Sequence, residues 1–175
     1  MKKILLTLFV LGVISCQPAK EKKTEPNMEF GGWSGTADDH AMESLMTRKI
    51  MENYSSNNLM SISDLISDTA DEFYFNNTKV TKQGWLEGAS AHHNYFDGIS
   101  NKDKFPYNVT TTVYENGSKW SLAWFLWTGT GKFTGTEAEI YVHHGFRWEE
   151  GKIVAAYHFF DPTLINNEIA AASGK

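Results

Sequence analysis

The chain has 175 residues, with 21 acidic against 16 basic side chains and a formal charge of −5 at pH 7. An acidic balance of this kind lacks the clustered Lys and Arg that grip a phosphate backbone, so nucleic acid is excluded as a partner. A single cysteine, Cys16, rules out an intramolecular disulfide, and the length beyond it suits one domain with a sizeable core.

Lys2 and Lys3 precede an apolar run from Ile4 to Ile14, and Val13-Ile14-Ser15-Cys16 follows. The run is too short for an ordinary membrane span. The arrangement resembles a bacterial lipoprotein signal over residues 1–16, which implies cleavage before Cys16 and acylation of that residue. The expected address is then the bacterial cell envelope, on the periplasmic side or facing the surface, with a membrane as partner through the lipid on Cys16. Residues 17–37, with Pro18, Pro26, Gly31, Gly32 and Gly35, read as a flexible linker, and Lys20 to Lys23 as its solvated basic stretch. Residues 38–175 are left for the domain.

Met42, Leu45, Met46, Ile50 and Tyr54 recur at helical spacing, with Thr36, Asp38 and Asp39 as cap candidates. A short second helix is predicted from Ser61 to Ile66, where Ser61 and Asp64 have capping-box spacing. Glu72 to Phe75 reads as a strand. Gly84 to Phe96 is again helical, placing Trp85, Ala89, His92 and Phe96 on one face, with Gly98 as the stop. Strands follow at Tyr107 to Tyr114, Trp120 to about Phe133, Thr136 to Trp148 and Ile153 to Phe160. This order predicts an α+β domain in which three N-terminal helices cover one face of an antiparallel sheet.

The last hairpin carries three of the six histidines, His143, His144 and His158. Imidazole titrates near neutrality and is therefore the first candidate for chemistry. A three-residue turn at Glu149-Glu150-Gly151 would pair Trp148 with Lys152, Val142 with His158 and His144 with Ala156. His144 and His158 then become diagonal neighbours on one face, and His143 points to the other. A one-residue slip would exchange His143 for His144. Likewise a two-residue turn at Thr134-Gly135 would set Phe125 opposite His144 and Trp127 opposite Val142. The inner face so defined holds Phe125, Trp127, Val142, Phe146 and Phe160 around the two imidazoles, and Tyr74, His92 and His93 are candidates to complete it. Such a lining suits a small apolar or aromatic ligand. Asp161, before Pro162, reads as turn chemistry. The opposite face gathers Trp120, Trp124, Tyr141, His143, Tyr157 and Phe159, an aromatic surface that predicts cover, either by the segment around Phe30 and Trp33 or by a second subunit in a homodimer.

The run WFLWTGTGKFTGTEAEIYVHHGFRWEEGKIVAAYHFFD resembles the C-terminal half of the nuclear transport factor two-like superfamily, especially its SnoaL-like branch. The matching pieces are Thr128-Gly129-Thr130-Gly131, Phe146-Arg147 before an acidic-Gly turn, and Gly151 to Val154, with the resemblance covering roughly residues 41–170. It implies a cone-shaped curved antiparallel sheet wrapped against three helices around a pocket, the cystatin-like roll. The acid–base positions of catalytic SnoaL-like members fall at His144, three before Arg147, and at His158. The family's aspartate is here His158 and its preceding histidine Ala156, so the cyclase's proton abstraction does not carry over unchanged. The pair could divide labour, one neutral as base and one protonated as acid. Three readings follow: ligand binding alone, histidine acid–base chemistry of a cyclase, isomerase or hydrolase type, or a non-catalytic module whose pocket its own side chains fill. Neither a cofactor nor a metal is expected, since a three-ligand site would have to borrow His92 or His93 from the helix.

Overall fold

The computed structural model describes residues 28–101 and 108–174. The signal, Cys16, the first part of the linker and Tyr107 lie outside the described residues. In chain order the elements are β1 (Gly35–Asp38), α1 (Met42–Ser55), a 3-10 helix (Leu59–Leu65), β2 (Glu72–Phe75), β3 (Thr78–Val80), α2 (Lys82–Tyr95) and β4 (Phe96–Ser100), then β5 (Asn108–Tyr114), β6 (Lys119–Gly131), β7 (Glu137–Glu149), β8 (Lys152–Phe160) and α3 (Thr163–Ala172).

The strands form one curved sheet in the order β1-β5-β6-β7-β8-β2-β3, with β4 also pairing β6. The α+β layering is as predicted, with two corrections. β2 runs parallel to β8, so the sheet is mixed rather than antiparallel. A C-terminal helix, α3, joins the three N-terminal ones. The linker expectation also changes at its end, because Gly35 to Asp38 pairs with Tyr114 to Thr111 as an edge strand. Trp33 packs edge-on against Tyr114 there, 5.1 Å between centroids, at the rim of the outer face, and leaves Trp124 and Tyr141 exposed.

Helix starts differ from expectation. Ala41 precedes α1 and offers no side-chain cap; the Asp38 carboxylate instead accepts from the His40 amide. Ser61 does not form a capping box, since its hydroxyl donates to the Asn58 carbonyl and Asn53 Oδ1. α2 is capped as such residues should be, Thr81 Oγ1 accepting from Gly84 N at 3.0 Å. Gly98, rather than stopping α2, bends β4 at a register shift with φ +62°.

Both long hairpins are displaced by two residues from the predicted pairing. At β7–β8 the turn is Glu150-Gly151 with φ of 49° and 75°, a two-residue connection of the type I′ kind, pairing Glu149 with Lys152. Val154 is then an extra residue, because Trp148 faces Ile153 while Arg147 faces Ala155. Beyond this bulge His144 stands directly opposite His158 and Val142 opposite Phe160, not diagonally. At β6–β7 the loop spans Lys132 to Gly135, and Phe125 pairs with Val142, Trp127 with Ile140. Beyond the bulge both displacements are even, so the side chains there keep their predicted faces.

Two buried clusters fill the cone. One joins Phe73, Trp85, Leu86, Phe146, Trp148 and Ile153; the other joins Met51, Phe96, Phe125, Trp127, Ile140 and Ile165. A buried polar chain fastens α1 to the sheet beside the first. The Trp148 indole donates to Ser121 Oγ at 2.8 Å. Ser44 Oγ donates to the Asp38 carbonyl at 2.8 Å, which requires Thr111 to donate to Ser44 and Ser121 to Thr111. At the other end of the cone, buried Glu168 of α3 accepts from Phe133 N at 2.5 Å and from Thr134 Oγ1 at 2.5 Å.

Candidate functional site

Where the two clusters meet, a cavity of about 60 Å³ remains, several times what one water requires. Ile50, Met51 and Tyr54 of α1, Trp85, Ala89 and His92 of α2, and Ile165 of α3 face the sheet residues across it. Phe125, Trp127, Val142, Phe146 and Phe160 line it as the alternation predicted, together with His144 and His158. His92 also lines it. His93 and Tyr74 do not: His93 Nε2 meets the Tyr54 carbonyl at 2.7 Å, tying α2 to α1, and Tyr74 stacks on Tyr157 on the outer face at 5.2 Å. Phe75 takes the place given to Tyr74, because β2 lies parallel to β8 with Phe75 beside His158.

The His144 and His158 rings are perpendicular, 89°, with centroids 3.9 Å apart. His158 is 2% exposed. Trp85 Nε1 donates to its Nε2 at 2.5 Å, with the two rings 24° from coplanar. An indole nitrogen can only donate, so His158 Nε2 is an acceptor and the ring proton of the neutral imidazole sits on Nδ1. That Nδ1 is buried without a partner among the described residues. His144, held edge-on to Phe125 at 4.9 Å and to Phe146 at 6.0 Å, has no hydrogen-bond partner among the described residues.

Burial decides the charge of these rings. It lowers the His158 pKa to about 3, with His143 adding a smaller repulsion. It also lowers His144 well below its ordinary value, helped by the neighbouring His158, His143 and His92. The expected pair of one neutral and one protonated imidazole is therefore corrected: both are neutral at pH 7. His92 is neutral as well, pushed down to about 4 by burial and then by His93. Trp127 Nε1 donates to the Tyr54 hydroxyl at 2.8 Å, and that hydroxyl lies 2.8 Å from His92 Nδ1. If Tyr54 gives its own proton to His92, each of the three groups is satisfied and the His92 proton is on Nε2.

In such a setting His144 can accept a proton and His158 can only present its Nδ1–H, so the division of labour comes from hydrogen bonding rather than from charge. Sequence reasoning placed Trp85 on the right helix face without its bond to His158, and it missed Phe75, Tyr54 and Asn101. For Phe75 the signal was available, since Phe73 and Phe75 alternate with Glu72 and Tyr74. Asp161 does serve turn chemistry, its carboxylate accepting from Thr163 N at 2.9 Å and from Thr163 Oγ1 at 2.6 Å.

No family model and no curated protein matches the chain. Solved structures do. A Xanthomonas campestris protein assigned as a polyketide cyclase superposes with a TM-score of 0.58 at 8% identity, covering 75% of this chain and 99% of that one. IdmH from Streptomyces antibioticus, also assigned as a polyketide cyclase, gives 0.56 at 16% identity over 74% and 99% of the two chains. A Bacillus subtilis protein assigned as an isomerase gives 0.54 at 16% identity over 73% and 91%. At such identities the likeness shows architecture alone, and this chain has the same cone-shaped α+β fold as those structures.

Proposed function

We propose that the cone binds a small, uncharged, largely apolar or aromatic molecule and moves a proton on it, in a reaction of the cyclase or isomerase type. The observation that carries this reading is the Nδ1–H of His158, without a partner among the described residues, beside the unbonded imidazole of His144 in a largely apolar cavity. A buried donor left without a partner costs stability, and a ligand's carbonyl oxygen would relieve it. With the carbonyl held there, neutral His144 takes a proton from the adjacent carbon and returns it elsewhere, while the His158 hydrogen bond stabilises the negative charge developing on oxygen. The names of the structural neighbours agree with this chemistry.

Thermal-shift titration with small apolar carbonyl compounds tests the reading. Wild-type stabilisation that is lost in His144→Ala and His158→Ala supports it, and equal shifts in all three proteins remove the histidines from it. A non-catalytic module is the second reading, favoured by the modest size of the cavity and by Trp85 already occupying one nitrogen of His158. Absence of any ligand shift supports that alternative.

Two further parts of the reading rest on other observations. The lipobox-like Val13-Ile14-Ser15-Cys16 supports anchoring to a membrane of the bacterial envelope through a lipid on Cys16. Metabolic labelling with an alkyne fatty acid should mark the wild type and spare Cys16→Ala. The outer face supports a homodimer, since Trp124 and Tyr141 are 57% and 75% exposed. Light scattering giving a monomer mass at micromolar concentration counts against that.

A further inference from the structure

The cavity lining also holds an unsatisfied acceptor, at the end of a different strand from those of the histidine pair. Asn101, 3% exposed, follows β4 and lines the cavity. Its side-chain nitrogen lies 3.3 Å from the Met51 carbonyl and 3.0 Å from Ser55 Oγ, both on α1. A carbonyl only accepts, so the nitrogen must be the atom turned to α1, and Oδ1 is what Asn101 has left to offer. Oδ1 is buried with no partner among the described residues. The sheet register separates the two orphaned groups: Ser100 pairs with Thr128, whereas His158 stands level with His144 and, through it, with Ala123.

The cavity thus has a bare donor at one level, His158 Nδ1–H, and a bare acceptor at another, Asn101 Oδ1. Between them the walls are aromatic and aliphatic, from Phe125, Trp127, Ile140 and Val142. Among the described residues no lysine or arginine lines it. Resting on the small-molecule reading above, we propose that the ligand is a neutral hydroxy-carbonyl compound, its carbonyl oxygen on His158 and its hydroxyl proton on Asn101 across an apolar middle. Asn101 is then a specificity residue that touches the ligand and takes no part in proton transfer. A site built to pair a hydroxyl rejects an analogue lacking it, because the buried acceptor stays unsatisfied. A carboxylate is rejected for a different reason, having no cation among the described lining residues to meet it in a buried site.

Calorimetric titration of the purified chain with 4-hydroxyacetophenone, acetophenone, 4-ethylphenol and 4-ethyltoluene separates the two anchors. The expected ranking puts 4-hydroxyacetophenone first, roughly tenfold tighter than either singly anchored compound, and 4-ethyltoluene last. 4-Hydroxybenzoate should not bind at neutral pH. Asn101→Leu should reduce 4-hydroxyacetophenone to the affinity of acetophenone and leave acetophenone unchanged. Equal binding of 4-ethyltoluene and 4-hydroxyacetophenone overturns the two-anchor assignment but spares the small-molecule reading. Failure of all the neutral compounds to bind overturns both, and a hydroxyl advantage that survives Asn101→Leu overturns the role of Asn101. The ranking on the unaltered chain decides the matter even if the variant does not fold.

Discussion

His143 and His144 are neighbours in sequence with the same side chain, and the sheet gives them opposite lives. His144 enters the cavity and meets only rings. His143 lies half-buried on the outer face, stacked on Trp124 at 3.9 Å, with its Nδ1 at 3.2 Å from the Ala123 carbonyl. Burial lowers the His143 pKa, but that backbone contact pulls it back up. Inside, nothing opposes desolvation. The difference teaches that the chemistry here is assigned by the parity of a strand, because a one-residue shift would trade a neutral base in the cavity for an imidazole on the outer face.

The largest effect expected from breaking this comparison is on the packing under the inner pair. Phe146 is fully buried against both inner rings. Phe146→Ala should cost about 3–5 kcal/mol in urea unfolding. Phe159→Ala on the outer face should cost about 1 kcal/mol or less, and a cost approaching that of Phe146→Ala would mean that the outer face is covered in solution.

Acid should come next. In the fold His158 and His92 resist protonation down to pH values of about 3 and 4, and His144 is shifted the same way. The unfolded chain takes up those protons near 6.5, so the stability these rings contribute is complete above that value. It erodes as pH falls toward the folded values. From pH 6.5 to about 5 His158 and His92 should each remove roughly 2 kcal/mol. Urea midpoints at pH 7 and 5 measure this, and replacing His144 by Phe should flatten the slope where replacing His143 does not.

A smaller, more pointed test concerns Trp85. Trp85→Phe removes the donor to His158 Nε2, with an expected loss of about 1–2 kcal/mol. It also frees the tautomer, so nitrogen-15 shifts of His158 should move from the Nδ1–H form toward a mixture. An unchanged tautomer would show that Trp85 does not set it. The smallest effect belongs to His143→Gln, about 0.5 kcal/mol or less, with ligand-induced thermal shifts unaltered.

The faces of the long strands were legible because they depend only on alternation, and beyond the bulge both register errors were even. The pairing itself was not. It turned on a left-handed Glu150 and on the extra Val154, and neither leaves a mark in the pattern of apolar residues. The parallel junction of β2 with β8 is a product of tertiary folding, and so are the bonds of Trp85 and Asn101 to partners distant in sequence. α3 was different: Asp161-Pro162-Thr163 is a start signal, and Leu164, Ile165 and Ile169 follow at helical spacing, so its absence from the sequence reading was an oversight of available information.

The grip of Glu168 on the β6–β7 loop bears on how the protein can be handled. α3 supplies Ile165 to the cavity wall, and its carboxylate, lowered in pKa because the Thr134 and Phe133 hydrogen bonds outweigh burial, is what ties that helix to the loop. A truncation after Pro162 would leave the sheet's pairing in place while unroofing the chamber.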